Sequence, residues 1–241
     1  MKRAYSDPLT PINIKMSTKD WKNSRIPDRY VLRSAKHLIF CEGDKTEPLY
    51  FKGFKKAIET CPIYEEMIEI FPHCGDTQGV LKSALTIINA RKLQKAHIWC
   101  VFDKDDFPIE HFNGVSGKIE ELNRKYRQLR FHSIWSNECF EFWLLLHFSL
   151  YSSNNHRSIY LKNLNENFKK RGLGSYRKND SRLFEELLEI GNPKLAIRHA
   201  ERILRENKNR QPSQIAPGTK VQELVKALAV YLPKDLQSHF L

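Results

Sequence analysis

Apolar residues in this chain fall into two textures, short unbroken runs and longer stretches with helical spacing. His37-Leu-Ile-Phe-Cys41, Ile68-Glu-Ile-Phe71, His97-Ile-Trp-Cys-Val-Phe102 and Arg130 to Trp135 read as strands. The first and third runs lack strict polar alternation, as expected for strands covered on both faces. Between the runs, Thr46 to Ile58 predicts a helix with Thr46 as N-cap and Pro48 in its first turn. Gln78 to Leu93 predicts a second helix, with apolar residues at Val80, Leu81, Ala84, Leu85, Ile87 and Ile88. Lys118 to Leu129 reads as a charged, exposed helix and Glu138 to Leu150 as a strongly apolar one. This alternation predicts an α/β fold with a mostly parallel sheet and helices on both faces.

Outside that pattern the texture changes. Residues 1–36 carry Pro8, Pro11 and Pro27 among scattered Lys and Arg, which predicts a basic N-terminal arm without sustained periodicity. After Ser152 the strand signals fade, and helices are expected at 158–171, 180–190, 193–208 and 219–231, with a polar, Pro-containing loop from Asn207 to Gly218. The expected organisation is a basic arm (1–36), an α/β core (37–150) and a helical C-terminal extension (151–241).

Charge narrows the class of partner. The 241 residues hold 40 Lys and Arg against 28 Asp and Glu, a formal net charge of +12 that favours a polyanion such as nucleic acid. A solvated basic surface accounts for the same number about equally well. The five cysteines form no CxxC pair and several lie in apolar runs, so they read as reduced thiols. The opening Met1-Lys-Arg-Ala-Tyr lacks the apolar core of a signal peptide, and no stretch approaches the roughly 18 apolar residues of a membrane span. A cytoplasmic location is expected.

The chemistry gathers at one predicted edge, because ligands of open α/β sheets bind outside the carboxyl ends of the strands. Glu42 follows the first strand and precedes Gly43, while Asp103, Asp105 and Asp106 follow the third. Glu141 is the only charged side chain in its apolar helix, where an unpaired carboxylate is costly to bury. Acids from separate segments on one edge make an oxygen-ligand site suited to Mg²⁺ or Mn²⁺. An Asp-x-Asp in isolation is more often a strand-ending turn; its placement beside Glu42-Gly43 is what favours the site.

Other residues have a bland and a sharp reading. Lys45, beside the Glu42-Gly43 turn, is either an exposed turn lysine or a phosphate contact; Lys52 and Lys104 are less well placed. Asp76 or Thr77 reads as a helix cap rather than a ligand. His73 and Cys74 show no paired zinc-ligand spacing. Phe140, Phe142, Trp143 and Phe148 suit a core better than a base-stacking platform. Tyr176-Arg177-Lys178 and the row Arg198, Arg202, Arg205 could contact phosphate in a supporting role, the row also fitting a solvated helix face.

His37-Leu-Ile-Phe-Cys-Glu-Gly-Asp-Lys-Thr-Glu-Pro-Leu-Tyr-Phe51, Trp99-Cys-Val-Phe-Asp-Lys-Asp-Asp-Phe107 and Ser136-Asn-Glu-Cys-Phe-Glu-Phe-Trp-Leu-Leu-Leu-His-Phe148 occur in that order. They resemble the motifs of the RloB family, TOPRIM-like proteins of bacterial anti-phage and restriction loci. The family's usual Ser-Asn-Pro reads Ser136-Asn137-Glu138 here. The resemblance implies a Rossmann-like TOPRIM core, with Glu42 as general acid or base or metal ligand and Asp103 with Asp105 as the metal-binding pair. It also implies a supporting role for Glu141 and an ABC- or AAA-type ATPase partner. No Walker A motif is present in the chain.

The expected function is therefore a Mg²⁺- or Mn²⁺-dependent nuclease subunit of a phage-defence system, acting on DNA or RNA, transfer RNA included. Glu42, Asp103, Asp105, Glu141 and Lys45 are its expected catalytic residues. One alternative is a non-catalytic adaptor that binds nucleic acid or the ATPase. Another is a phosphotransferase with Asp103 as a covalent nucleophile, which gives Glu42 no role.

Overall fold

The computed structural model describes residues 36–64, 66–105 and 108–241; the expected basic arm before Lys36, and Asp106, lie outside the described residues. Five strands form one sheet: β1 (Lys36–Cys41), β2 (Ile68–Phe71), β3 (Ala96–Asp103), β4 (Leu129–Asn137) and β5 (Gly218–Thr219). Their order is β2-β1-β3-β4-β5. The first four run parallel, and β5 pairs antiparallel with the end of β4. The protein thus has the mixed, Rossmann-like α/β architecture that the alternating pattern predicts.

The crossovers are α1 (Thr46–Ile58), α2 (Thr77–Arg91) and α3 (Ile109–Lys125). In-register pairing puts Phe102 and Trp135 on one face, where Phe112 of α3 packs edge-on against both. On the other face His37, His97, Trp99 and His132 form a ladder of stacked rings, which Tyr231 closes edge-on at His37. Helices therefore cover both faces, and this explains why the β1 and β3 runs are apolar without alternation.

Two predicted helices change shape. α3 begins nine residues before the expected Lys118 and ends at Lys125. Gly114 and Gly117 lie within the added turns, and a side chain at either would meet open space. The apolar run from Glu138 to Leu150 is helical only in α4 (Glu141–Leu145). Beyond it the backbone tightens, with Leu146 N–H shared between the carbonyls of Phe142 and Trp143, and His147 C=O accepting from Asn192 N at 3.0 Å. A carbonyl claimed by another segment cannot continue the helical ladder.

The C-terminal helices α5 (Arg157–Lys170), α6 (Leu183–Ile190), α7 (Pro193–Glu206) and α8 (Val221–Ala229) lie close to their predicted spans. A short α9 (Lys234–Gln237) and the strand β5 were not predicted. The described residues from Lys36 to Leu241 belong to one compact unit, so this extension is built onto the core. No helix among the described residues is long and apolar enough to cross a membrane. All five cysteines are free thiols, as expected.

Candidate functional site

β1 and β3 are neighbours, but the chain leaves β1 towards β2 on one side and β3 towards β4 on the other. Their carboxyl ends therefore flank the topological switch point, the crevice where such sheets take ligands. Glu42 N donates to Val101 O at 3.0 Å, and Asp103 N donates to Glu42 Oε2 at 3.1 Å, so the Glu42 carboxylate folds back over the end of β3. Gly43 lets the Glu47 carboxylate approach this turn: a Cβ on it would lie 2.9 Å from Glu47 Oε2.

Asp103 ends β3 with one carboxylate oxygen accepting from Phe140 N at 3.1 Å. Its other oxygen, Oδ1, is buried without a partner. Asp105 sits at φ +39°, in the left-handed region that Asp tolerates better than most residues, and donates its N–H to Glu138 O at 3.1 Å. Its Oδ2 pairs with Arg157 Nη1 at 3.2 Å and its Oδ1 is buried without a partner. Glu141 is buried at the start of α4, 2.9 Å from Lys178 Nζ and 3.4 Å from the donating Tyr176 hydroxyl. Thr46 Oγ1 ties this corner to α1 by donating to Lys178 O at 3.3 Å.

The carboxylates resist ionising together. Burial pushes Glu42 up to about 8; Asp105, Glu47 and Asp76 add repulsion, and the Asp103 N–H opposes it. Burial likewise raises Glu47 to about 7, with Glu141 and Asp105 repelling it and Lys178 opposing. Asp103 is held well above the ordinary range by burial and then by its acidic neighbours. Asp105 is also raised by burial, although Arg157 works against the shift. Crowding negative charge in a low-dielectric crevice favours protons or a bound cation.

Four of the five expected catalytic residues, Glu42, Asp103, Asp105 and Glu141, meet at this edge. Lys45 does not join them: its side chain is exposed just before α1 and makes no bond to the carboxylates among the described residues. Glu47 was missed by sequence reading because an acid in a first helical turn is explained by the helix dipole alone. Arg157 carries no signal in the sequence, whereas the Tyr176-Arg177-Lys178 cluster did, and two of its members reach Glu141.

The bland readings hold elsewhere. Asp76 caps α2 by accepting from Gly79 N at 2.7 Å. Phe140, Phe142 and Trp143 are core residues, and Phe148 packs beneath Arg171. Arg198, Arg202 and Arg205 lie on the exposed face of α7. Lys104 Nζ donates to Asp105 O at 3.0 Å, and Lys52 is exposed.

The donor set consists of hard carboxylate oxygens, two of them buried and unpartnered, which is the chemistry a Mg²⁺ or Mn²⁺ ion requires. As placed, no three Asp, Glu, His or Cys side chains among the described residues are arranged to hold an ion, Asp105 being turned onto Arg157 and Glu141 onto Lys178.

Fold and site define an α/β protein with a buried carboxylate cluster at its switch point. The RloB-like protein family matches residues 37–228, which span all five strands and the C-terminal helices through most of α8. The chain belongs to that family. Comparison with curated proteins and with solved structures finds no match.

Proposed function

We propose that this protein is a TOPRIM-type, metal-dependent nuclease subunit of a bacterial phage-defence system. It would hydrolyse phosphodiesters in DNA or RNA alongside an ABC- or AAA-type ATPase. The reading rests on one observation above all, the Glu42 carboxylate held against the end of β3 beside Asp103, whose Oδ1 is buried and unpartnered. Family membership and the basic charge support it.

In this reading Asp103, Asp105 and Glu42 would hold a Mg²⁺ or Mn²⁺ ion, Asp105 turning from Arg157 to do so, and the ion would supply Lewis-acid polarisation of a phosphoryl oxygen. Burial raises the Glu42 carboxyl in the metal-free protein; in the loaded site Glu42 would act either as a ligand or as the group that moves a proton. Lys178 and Arg157 neutralise Glu141 and Asp105 and bring positive charge to the crevice where a phosphate would enter. The wall from Phe140 to Leu146 is fully apolar apart from Glu141 and excludes water from one side.

The test is cleavage of single- and double-stranded DNA and of RNA, transfer RNA included, in Mg²⁺ or Mn²⁺, with and without any ATPase encoded at the same locus. Cleavage by the wild type and its loss in Glu42→Gln support the reading. No cleavage in any combination, together with intact defence in Glu42→Gln cells, overturns it. The ion pairs at Asp105 and Glu141 favour a second reading, an adaptor whose acids are permanently neutralised by its own cations. That reading requires defence to survive Glu42→Gln.

A further inference from the structure

Helices α2 and α3 lie side by side on the sheet face that carries Phe102 and Trp135. Between them lies a groove of three adjoining hollows that share lining residues. Its first stretch is lined by Gln78, Lys82 and Lys118 above Leu81 and Val115. The next shares Leu81 and Lys118 and adds Glu121 and Lys125. Lys125 then passes into the widest part, a hollow of ≈ 630 Å³ also lined by Lys92 and Arg127.

Two features orient the groove. Gln78 stands in the first turn of α2, and the loop before that helix is tied to the carboxylate turn: His73 N donates to Gly43 O at 2.9 Å and Cys74 N to Cys41 O at 3.0 Å. The hollow lies at the opposite sheet edge, where the turns into β3 and β4 meet through Ala96 N donating to Gln128 O at 3.4 Å. The 15 residues of α2 span about 22 Å between these ends.

Lys82, Lys92, Lys118, Lys125 and Arg127 are all exposed, and none forms an ion pair with a described residue. Glu121 is the one acid among the described lining residues. Five cations against one acid along one groove attract a polyanion.

We propose that the α2–α3 groove is a binding track for a single nucleic-acid strand, holding its phosphates by Lys82, Lys118, Lys125, Lys92 and Arg127 and leading it to the carboxylate edge. The track rests on the nuclease reading for its destination but not for its chemistry. An acidic protein partner could seat on the apolar floor formed by Leu81, Leu85 and Leu122; five cations against one acid, spread from one end of the helices to the other, favour a regularly charged polyanion over it.

The experiment uses the full chain in EDTA, so that binding is read apart from cleavage, with fluorescent single-stranded DNA and RNA 25-mers titrated across a salt series. Replacing all five cations by Gln, and in separate variants Lys82 with Lys118 or Lys92 with Lys125 and Arg127, alters exposed side chains alone. Circular dichroism checks that each variant folds, and either partial set tests the groove if the five-fold variant does not.

Each phosphate contact contributes about 0.7 to the slope of log affinity against log salt for single strands. The five-fold variant should lose about two or more units of slope and at least about tenfold in affinity at 0.1 M salt, with each partial set losing part of both. Unchanged slope and affinity in the variants, or a wild type with no salt-dependent binding, overturns the track. So does retained strand binding combined with lost capture of an acidic protein from the same locus. Lost binding in the variants keeps the track even where no combination cleaves and defence survives Glu42→Gln, the outcome that removes the nuclease reading alone.

Discussion

The backbone N–H of Asp103 donates to the carboxylate of Glu42 at 3.1 Å, so the last residue of β3 holds in place the acid that follows β1. This bond favours ionised Glu42, yet burial outweighs it and leaves the group at about 8. The site stores unfavourable electrostatic energy that a cation would release.

Asp103→Asn tests that statement in two directions. An acid whose pKa is raised on folding binds more protons in the folded than in the unfolded state, so its contribution to stability falls as pH rises above the ordinary carboxylate range. Removing it should raise the metal-free melting temperature by a few degrees at pH 8, the shift expected of about 1 kcal/mol in a chain of this size. The gain should shrink towards pH 4. Mn²⁺ should raise the melting temperature of the wild type and leave the variant unmoved, and cleavage should fall by about 10²-fold or more. Melting curves and rates on one substrate read all of these.

The Glu141–Lys178 pair should be asymmetric to mutation. Lys178→Met leaves a buried carboxylate without its cation and should cost about 1–3 kcal/mol, below the figure for a fully buried pair because Lys178 is half exposed. Glu141→Gln keeps an acceptor for the Tyr176 hydroxyl and should cost less, and the double variant should recover part of the Lys178→Met loss. Denaturant unfolding of the four proteins, as a double-mutant cycle, measures this.

Gly53→Ala would place a Cβ 2.2 Å from Phe184 Cβ, where α1 meets α6. Alanine normally strengthens a helix by about 1 kcal/mol over glycine. Here overpacking should reverse the sign and destabilise by about 1–3 kcal/mol. Chemical denaturation distinguishes the two signs.

Acid should unfold the protein through its buried imidazoles. Burial holds His37 and His132 down to about 3 and His147 to about 4, against 6.5 unperturbed. Below about pH 6.5 the unfolded chain takes up protons that the folded one refuses, so stability falls as pH drops from 6.5 towards 3. Each histidine contributes up to about 1.4 kcal/mol per pH unit within that window. His37 Nδ1 accepts from Trp99 Nε1 at 3.0 Å, so His37→Gln is the milder probe. Its melting temperature should depend less steeply on pH between 6.5 and 4 than that of the wild type.

Much of this was legible in the chain. The apolar runs at β1 and β3 and the acids directly after them required only local pattern, because strand burial and the C-terminal position of loops are properties of neighbouring residues. The same held for the helix Thr46 to Ile58, except that Lys45 rather than the expected Thr46 stands at the N-cap, the Thr46 hydroxyl bonding Lys178 O instead. α4 was overcalled because an apolar run reads as helix whether or not another segment claims its carbonyls, as Asn192 does at His147. β5 is two residues long and carries no period at all.

The sequence by itself determined the α/β alternation, the family, and an acidic edge holding Glu42, Asp103 and Asp105. Only the tertiary structure decided that Glu47 joins that edge, that Arg157 and Lys178 reach back more than thirty residues along the chain to neutralise Asp105 and Glu141, and that Lys45 stays outside. It also decided that lysines from two separate helices line one groove. Periodicity reports which face of an element is buried, whereas the electrostatics of a crevice depends on which distant segments fold over it, and no local pattern carries that.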